Sequence, residues 1–255
     1  ILGAHLEGPF LSLERAGAHP AVLLRAPDLG VLASLLDAGC PVTTVTLAPE
    51  LEGAFDLIEA LAAHGIVVSL GHTDATAAVA QDAFDRGART VTHLFNAMRP
   101  FHHRDPGLAG VALAREDVVV QLIADGVHVA PEAILTAWRA ARGRLVLVSD
   151  AIAAAGLGDG SFSLGGVRVT VADGVSRTAD GTLAGAVQPL AHGLRLLVEL
   201  GVPLVEAVEA VTRAPARLLG RDDAGTLAID APADLVVLDD ALAVERVYVS
   251  GELVT

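Results

Sequence analysis

The stretch Thr92–Arg104, THLFNAMRPFHHR, decides how the rest of the chain is read. It follows a short apolar run, Arg89–Thr92, and delivers a histidine, His93, where that run stops. A polar segment carrying Asn96, His102, His103 and Arg104 then takes over. A buried strand that ends by handing a metal-capable side chain to a polar loop is a unit from which an active-site face can be assembled. Working outward from His93, the same unit recurs on both sides.

Upstream, Ile1–Leu6 is predicted as a strand ending in Glu7-Gly8-Pro9, Val42–Leu47 as one ending in Ala48-Pro49-Glu50, and Ile66–Leu70 as one ending in Gly71-His72. Downstream, Val118–Ala124 runs into Asp125-Gly126-Val127-His128, and Arg144–Val148 into Ser149-Asp150. Helices are predicted between them. Leu29–Ala38 has Asp28 as N-cap, Ala54–His64 stops at Gly65, Ala75–Arg86 stops at Gly87, and Pro131–Ala141 has proline in its first turn.

Strict alternation of strand and helix implies a parallel sheet. A complete barrel allots roughly 30 residues to each strand–helix unit. The expected fold class is therefore α/β, a (β/α)8 TIM-like barrel whose strands three to eight lie in this chain. The chain opens with Ile1 inside a strand, so the first two strands are expected to precede it. After Asp150 the pattern changes: Ser161–Val171 alternates like a hairpin strand, with turns at Asp173-Gly174 and Asp180-Gly181. Leu190–Leu200 and Leu204–Leu219 are predicted helices, and Asp234–Asp239 and Glu245–Val254 two short strands. The expected division is residues 1–219 as barrel, with a hairpin insertion near 158–187, and residues 220–255 as the C-terminal part of a small β domain.

Composition narrows the partners. The formal net charge of −14 argues against nucleic acid and anionic membrane surfaces. No apolar run approaches the length of a membrane span. The single cysteine, Cys40, fits a reducing compartment and a cytoplasmic location. All 17 basic residues are arginine, which excludes any mechanism that needs a lysine within this stretch.

Collected at strand ends are Glu7, Glu50, His72, His93, His128 and Asp150. Two imidazoles and a carboxylate suit a divalent ion, zinc above all. A carboxylate left free beside them can act as a general base, and Asp150 is the candidate. Glu50 follows proline and is expected only to orient its turn. His5 shares a face with Glu7, and its role stays open between ligand neighbour and core. His64, His192, His102 and His103 are expected to be helix or loop residues.

These residues sit in motifs that name a family. His5-Leu6-Glu7-Gly8-Pro9-Phe10, Gly17-Ala18-His19, Gly71-His72-Thr73, Thr92–Met98, Arg104-Asp105-Pro106-Gly107, Ile123–His128 and Val148-Ser149-Asp150-Ala151 occur in that order. Together they resemble the N-acetylglucosamine-6-phosphate deacetylases of the amidohydrolase superfamily, and Ala231–Val237 resembles the superfamily's returning β segment. The resemblance implies Glu7, His72 and His93 as ligands of one or two divalent ions, and Asp150 as general base and then acid. It implies His19 beside the acetyl carbonyl. Ala18, Asn96, Ala97, Arg104, His128, Leu183, Ala184 and Gly185 would line the site of an amino-sugar phosphate. It also implies a homodimer. Two rivals are weighed. Relatives that bridge two metals with a carboxylated lysine are disfavoured because this chain has none, and a non-catalytic sugar-phosphate binder is expected to show a broken ligand set.

Overall fold

A computed structural model describes residues 1–254. Six short strands form one parallel sheet: β1 (Ala4–Glu7), β2 (Val42–Leu47), β3 (Val67–Leu70), β4 (Thr90–Val91), β5 (Val119–Leu122) and β6 (Leu145–Leu147). Their spatial order is their chain order, with β1 and β6 at the edges. Each pair is parallel, so all six C-terminal ends open on one side. The strands carry apolar residues on both faces because helices cover the outside and side chains fill the inside. Leu47, Val68, Leu70, Val91, Val120 and Leu122 are fully buried. This is an α/β, TIM-barrel-like architecture.

The covering helices are α1 (Leu29–Leu36), α2 (Ala54–Ala63), α3 (Ala77–Asp85), α4 (Gly107–Ala114) and α5 (Pro131–Ala140). The Asp28 carboxylate accepts the main-chain N–H of Val31 at 2.8 Å, as an N-cap should. Helix α4 has no counterpart in the sequence reading. Its segment, GLAGVALA, is apolar on every side, and Gly107, Leu108, Ala109, Val111 and Ala112 are all buried. An amphipathic period is missing, and it is the period that announces a helix.

Three further expectations are corrected. Ser161–Val171 is two strands, β7 (Gly160–Leu164) and β8 (Val167–Ala172), which turn at Gly165-Gly166 and continue into β9 (Val175–Thr178). Helix α6 (Leu190–Glu199) agrees with expectation, but Leu204–Leu219 divides into α7 (Leu204–Val211) and α8 (Arg213–Leu218) at Thr212. In a continuous helix the Pro215 ring would collide with the Val211 carbonyl, so the chain breaks between them. The C-terminal segment holds three antiparallel strands instead of two: β10 (Leu235–Leu238), β11 (Val244–Val249) and β12 (Glu252–Leu253).

Arg144, just before β6, ties the outer layer together. Its guanidinium donates to the carbonyls of Ala112, Val118, Leu113 and Ala140 at 2.6–3.0 Å, closing the C-terminal ends of α4 and α5. Arg144→Ala should leave those carbonyls to water or to nothing, and lower unfolding stability by about 2–3 kcal/mol, since hydrogen bonds to a charged group carry about 1.5–3 kcal/mol each and this one is partly solvated. Urea unfolding measures it. Arg144→Lys should recover little, because an ammonium cannot span four acceptors.

Candidate active site

Register brings the histidines together. Leu70 pairs with Val91 across β3 and β4, and His72 and His93 each follow two residues later. Glu7 ends β1 two strands away. The Glu7 Oε1 lies 3.0 Å from His72 Nε2 and 2.9 Å from His93 Nε2, and the two nitrogens are 3.1 Å apart. Both rings are buried, and they meet edge to face.

The triangle is chemically uncomfortable without a cation. His72 Nδ1 donates to the main-chain carbonyl of Arg15 at 2.8 Å. That bond leaves the lone pair of Nε2 aimed at a carboxylate oxygen. Donors about 2.0–2.2 Å from a tetrahedral ion lie about 3.3 Å apart, so a divalent ion fits with an expansion of a few tenths of an ångström. His93 Nδ1 is buried without a partner among the described residues. His19 approaches the other Glu7 oxygen, Nε2 to Oε2 at 3.7 Å, and Glu7, His19 and His72 offer ligand atoms within 4.8 Å of one another. His19 therefore borders the same centre from the loop after β1.

The backbone around this centre is strained. His72, His93, Phe95, Ala97 and Asp150 all take positive φ, between 32° and 76°. Left-handed conformations cost a non-glycine residue about 1–3 kcal/mol each and gather at functional sites. Gly17 is required where it stands: its φ is +59° and a Cβ there would come 3.2 Å from the His72 ring. Gly185 is required for the same reason, with φ +69° and a virtual Cβ 2.8 Å from the Asp150 carbonyl. The segment after β9 docks on Asp150 through Ala186, whose N–H donates to the Asp150 carbonyl at 2.8 Å.

These groups line one cavity of about 660 Å³. Of the residues singled out from sequence, its wall contains Glu7, Ala18, His19, His72, His93, Asn96, Ala97, His128, Asp150, Leu183 and Gly185. Ala184 is fully buried behind that wall. Arg104 stands outside it, exposed, with its guanidinium 2.8 Å from His103. His128 donates from Nδ1 to the Asp125 carboxylate at 2.6 Å, which leaves Nε2 for the cavity. Asp125 also caps the main-chain N–H groups of Val127 and His128.

A family model described as the amidohydrolase family matches residues 1–254. The chain belongs to that family. It is 47% identical over 266 residues to the N-acetylglucosamine-6-phosphate deacetylase of Homo sapiens, covering all of this chain and 65% of that protein. It is 40% identical over 256 residues to the N-acetylgalactosamine-6-phosphate deacetylase of Escherichia coli O157:H7, covering 99% of this chain and 68% of that one. A solved structure of the Mycobacterium smegmatis N-acetyl-D-glucosamine-6-phosphate deacetylase, in complex with N-acetyl-D-glucosamine-6-phosphate, superposes with a TM-score of 0.94 at 44% identity. That match covers 98% of this chain and 68% of the other. The chain thus spans about 65% of the length of the human relative.

In this amidohydrolase several residues outside the ligand set hold the site's loops or take a role that the sequence had left open. Glu50 accepts from Thr73 Oγ1 and from the Asp74 N–H, so it fixes the loop that follows His72. Asp125 orients His128 through its carboxylate. His5 hydrogen-bonds Thr46 Oγ1 at 2.7 Å, and Thr46, Ser69 and Thr92 form a buried hydroxyl network beneath the ligand layer. His64 bonds a helix-end carbonyl, that of Ala60.

The two carboxylates are held differently. Burial acts to raise Glu7, but the neighbouring imidazoles of His19, His72 and His93 outweigh it and hold this carboxyl far below the usual range. Burial raises Asp150, with His93 opposing and Glu7 adding to the rise. Because the folded pKa of Asp150 exceeds its unfolded value, ionisation is the costly state. The cost is absent below about pH 4, where both states are protonated, and grows as pH rises through the folded value. In protein freed of divalent ions, Asp150→Asn should therefore raise the melting temperature at pH 7.5. The gain should shrink toward pH 4, as read by calorimetry at both pH values.

Proposed function

We propose that this amidohydrolase hydrolyses the N-acetyl group of N-acetylglucosamine 6-phosphate to glucosamine 6-phosphate and acetate, in the cytoplasm and in amino-sugar catabolism. The observation that carries this reading is the Glu7–His72–His93 triangle with a free carboxylate, Asp150, in the same cavity. The names of the relatives support the substrate. Zinc is the ion that two imidazoles and a carboxylate suit best, as one or two ions. When bound, it supplies Lewis-acid polarisation of the amide carbonyl and lowers the pKa of water.

The chain's own residues do the rest. Asp150, half-buried and with no side-chain hydrogen bond among the described residues, accepts a proton from the attacking water and returns it to the departing amine nitrogen. Its raised pKa suits both halves of that exchange. His19 lies beside Glu7 on the cavity wall, where it can donate to the acetyl oxygen as negative charge develops. Asn96 and Ala97 present main-chain groups to the sugar, and His128 Nε2 adds a polar contact. Ala18, Leu183, Ala184 and Gly185 shape the wall around it.

The phosphate demands a cation, and no arginine lines the cavity among the described residues. In this reading Arg104 supplies it, by moving off His103 toward the cavity mouth. A guanidinium fork matches a phosphate with two charge-assisted bonds. The protein acts as a homodimer, needs no nucleic acid or membrane, and among the described residues no helix is long and apolar enough to cross one. The 4-epimer, N-acetylgalactosamine 6-phosphate, is the second reading, on the strength of the Escherichia coli relative.

Acetate release tests all of this. Zinc-loaded protein should favour N-acetylglucosamine 6-phosphate over both N-acetylglucosamine and the 4-epimer. Asp150→Asn should keep substrate binding and lose on the order of 10²–10⁴ in kcat, as for other general bases. Arg104→Ala should lose roughly 10²-fold in kcat/KM on the phosphorylated sugar, about 2.7 kcal/mol, and little on the neutral one. Equal turnover of both sugars by the wild type would overturn the phosphate assignment.

A further inference from the structure

Three loops meet at one carboxylate outside the cavity. Asp74 follows His72 by two residues, and its side chain is a quarter exposed. Its Oδ1 accepts from Arg15 at 2.9 Å (Nε) and 2.6 Å (Nη2), and its Oδ2 accepts from Arg99 Nη1 at 3.0 Å. The same Arg99 nitrogen also reaches the Asp74 carbonyl at 3.1 Å, while Arg99 Nε bonds Asp105 at 2.9 Å. Arg15 belongs to the loop after β1 that carries His19, and Arg99 to the loop after β4 that carries Asn96 and Ala97. Glu50 holds the Asp74 main chain from the loop after β2.

The geometry closes a ring. The Arg15 main-chain carbonyl receives the Nδ1 proton of His72, and the Arg15 side chain returns to Asp74, two residues beyond that histidine. His93 has no such support, since its Nδ1 is unpartnered among the described residues. The tautomer of the candidate ligand pair is therefore set at His72 alone. Groups that orient a ligating imidazole commonly change metal affinity 10- to 100-fold when removed.

We propose that Asp74 is a positioning residue: by clamping Arg15 and Arg99 it holds the Arg15 carbonyl against His72, fixes the lone pair of His72 Nε2 toward Glu7, and keeps the loops of His19 and Asn96 in register. This rests on the reading of His72 as a metal ligand. The clamp touches neither substrate nor reacting atoms.

The test separates this from the metal reading itself. Zinc affinity is measured by competition with a chromogenic chelator for wild type, Asp74→Ala, Asp74→Asn, Arg15→Ala and the Asp74→Ala/Arg15→Ala double variant. The His72 tautomer is read in metal-free protein by ¹⁵N NMR of the imidazoles. Asp74→Ala and Arg15→Ala should each weaken zinc about 10- to 100-fold, and the double variant should lose no more than the worse single, because both cut one ring. Asp74→Asn, which keeps one acceptor oxygen, should fall between. Both single variants should mix the His72 tautomers while circular dichroism stays native. Wild-type zinc affinity and a single Nδ1–H tautomer in folded Asp74→Ala or Arg15→Ala would overturn the proposal. A wild type that takes up no zinc would overturn the metal reading, and this inference with it.

Discussion

Three atoms rich in electron density, Glu7 Oε1, His72 Nε2 and His93 Nε2, are pressed to within 3.1 Å of one another. Once neutral His72 has given its proton to a carbonyl, that ring has none left to bridge Nε2 and Glu7. The surrounding fold must hold the three atoms in place, and most of what is unusual about the structure can be traced to that demand. Strand register brings the donors level, and left-handed backbone at His72 and His93 turns them inward. Buried hydroxyls of Thr46, Ser69 and Thr92 satisfy one another, as buried polar groups must.

Strain of this kind needs an over-determined frame. It is supplied by contacts between loops: Glu50 on the Thr73–Asp74 loop, Arg15 and Arg99 on Asp74, and Gly185 and Ala186 against Asp150. These contacts join loops that follow different strands, so the loops carrying His72 and Asp150 are each held by a residue from another part of the chain. The two carboxylates illustrate the result. Glu7, among imidazoles, stays ionised, while Asp150, half-buried nearby with fewer partners, resists ionisation. Two identical side-chain chemistries are separated into a ligand type and a proton-exchanging type by environment.

Polar groups at the periphery are less committed. Arg104 rests on His103 at the surface, although a phosphate would need it near the cavity. His128 is by contrast fully oriented by Asp125. The cavity thus has well-fixed neutral and acidic groups, with Arg104 outside it on an exposed loop.

Much of this was legible in the residues. Alternation of strand and helix follows from apolar runs punctuated by Gly, Pro and Asp, and it is enough to imply a parallel sheet with six C-terminal ends on one side. Strand-end placement then singled out Glu7, His72, His93 and Asp150. Helix α4 was illegible because a segment buried on all sides carries no period, and the break at Thr212 was hidden because Pro215 acts four residues upstream of itself. Distances between ligand atoms, the proton on His72 and the Arg15–Asp74–Arg99 clamp were decided only by tertiary structure. They depend on loops from separate strands converging, and local sequence has no means of stating which arginine meets which carboxylate at a separation of 59 positions. The sequence by itself determined which chemical groups stand at the ends of the strands; folding decided which of them touch.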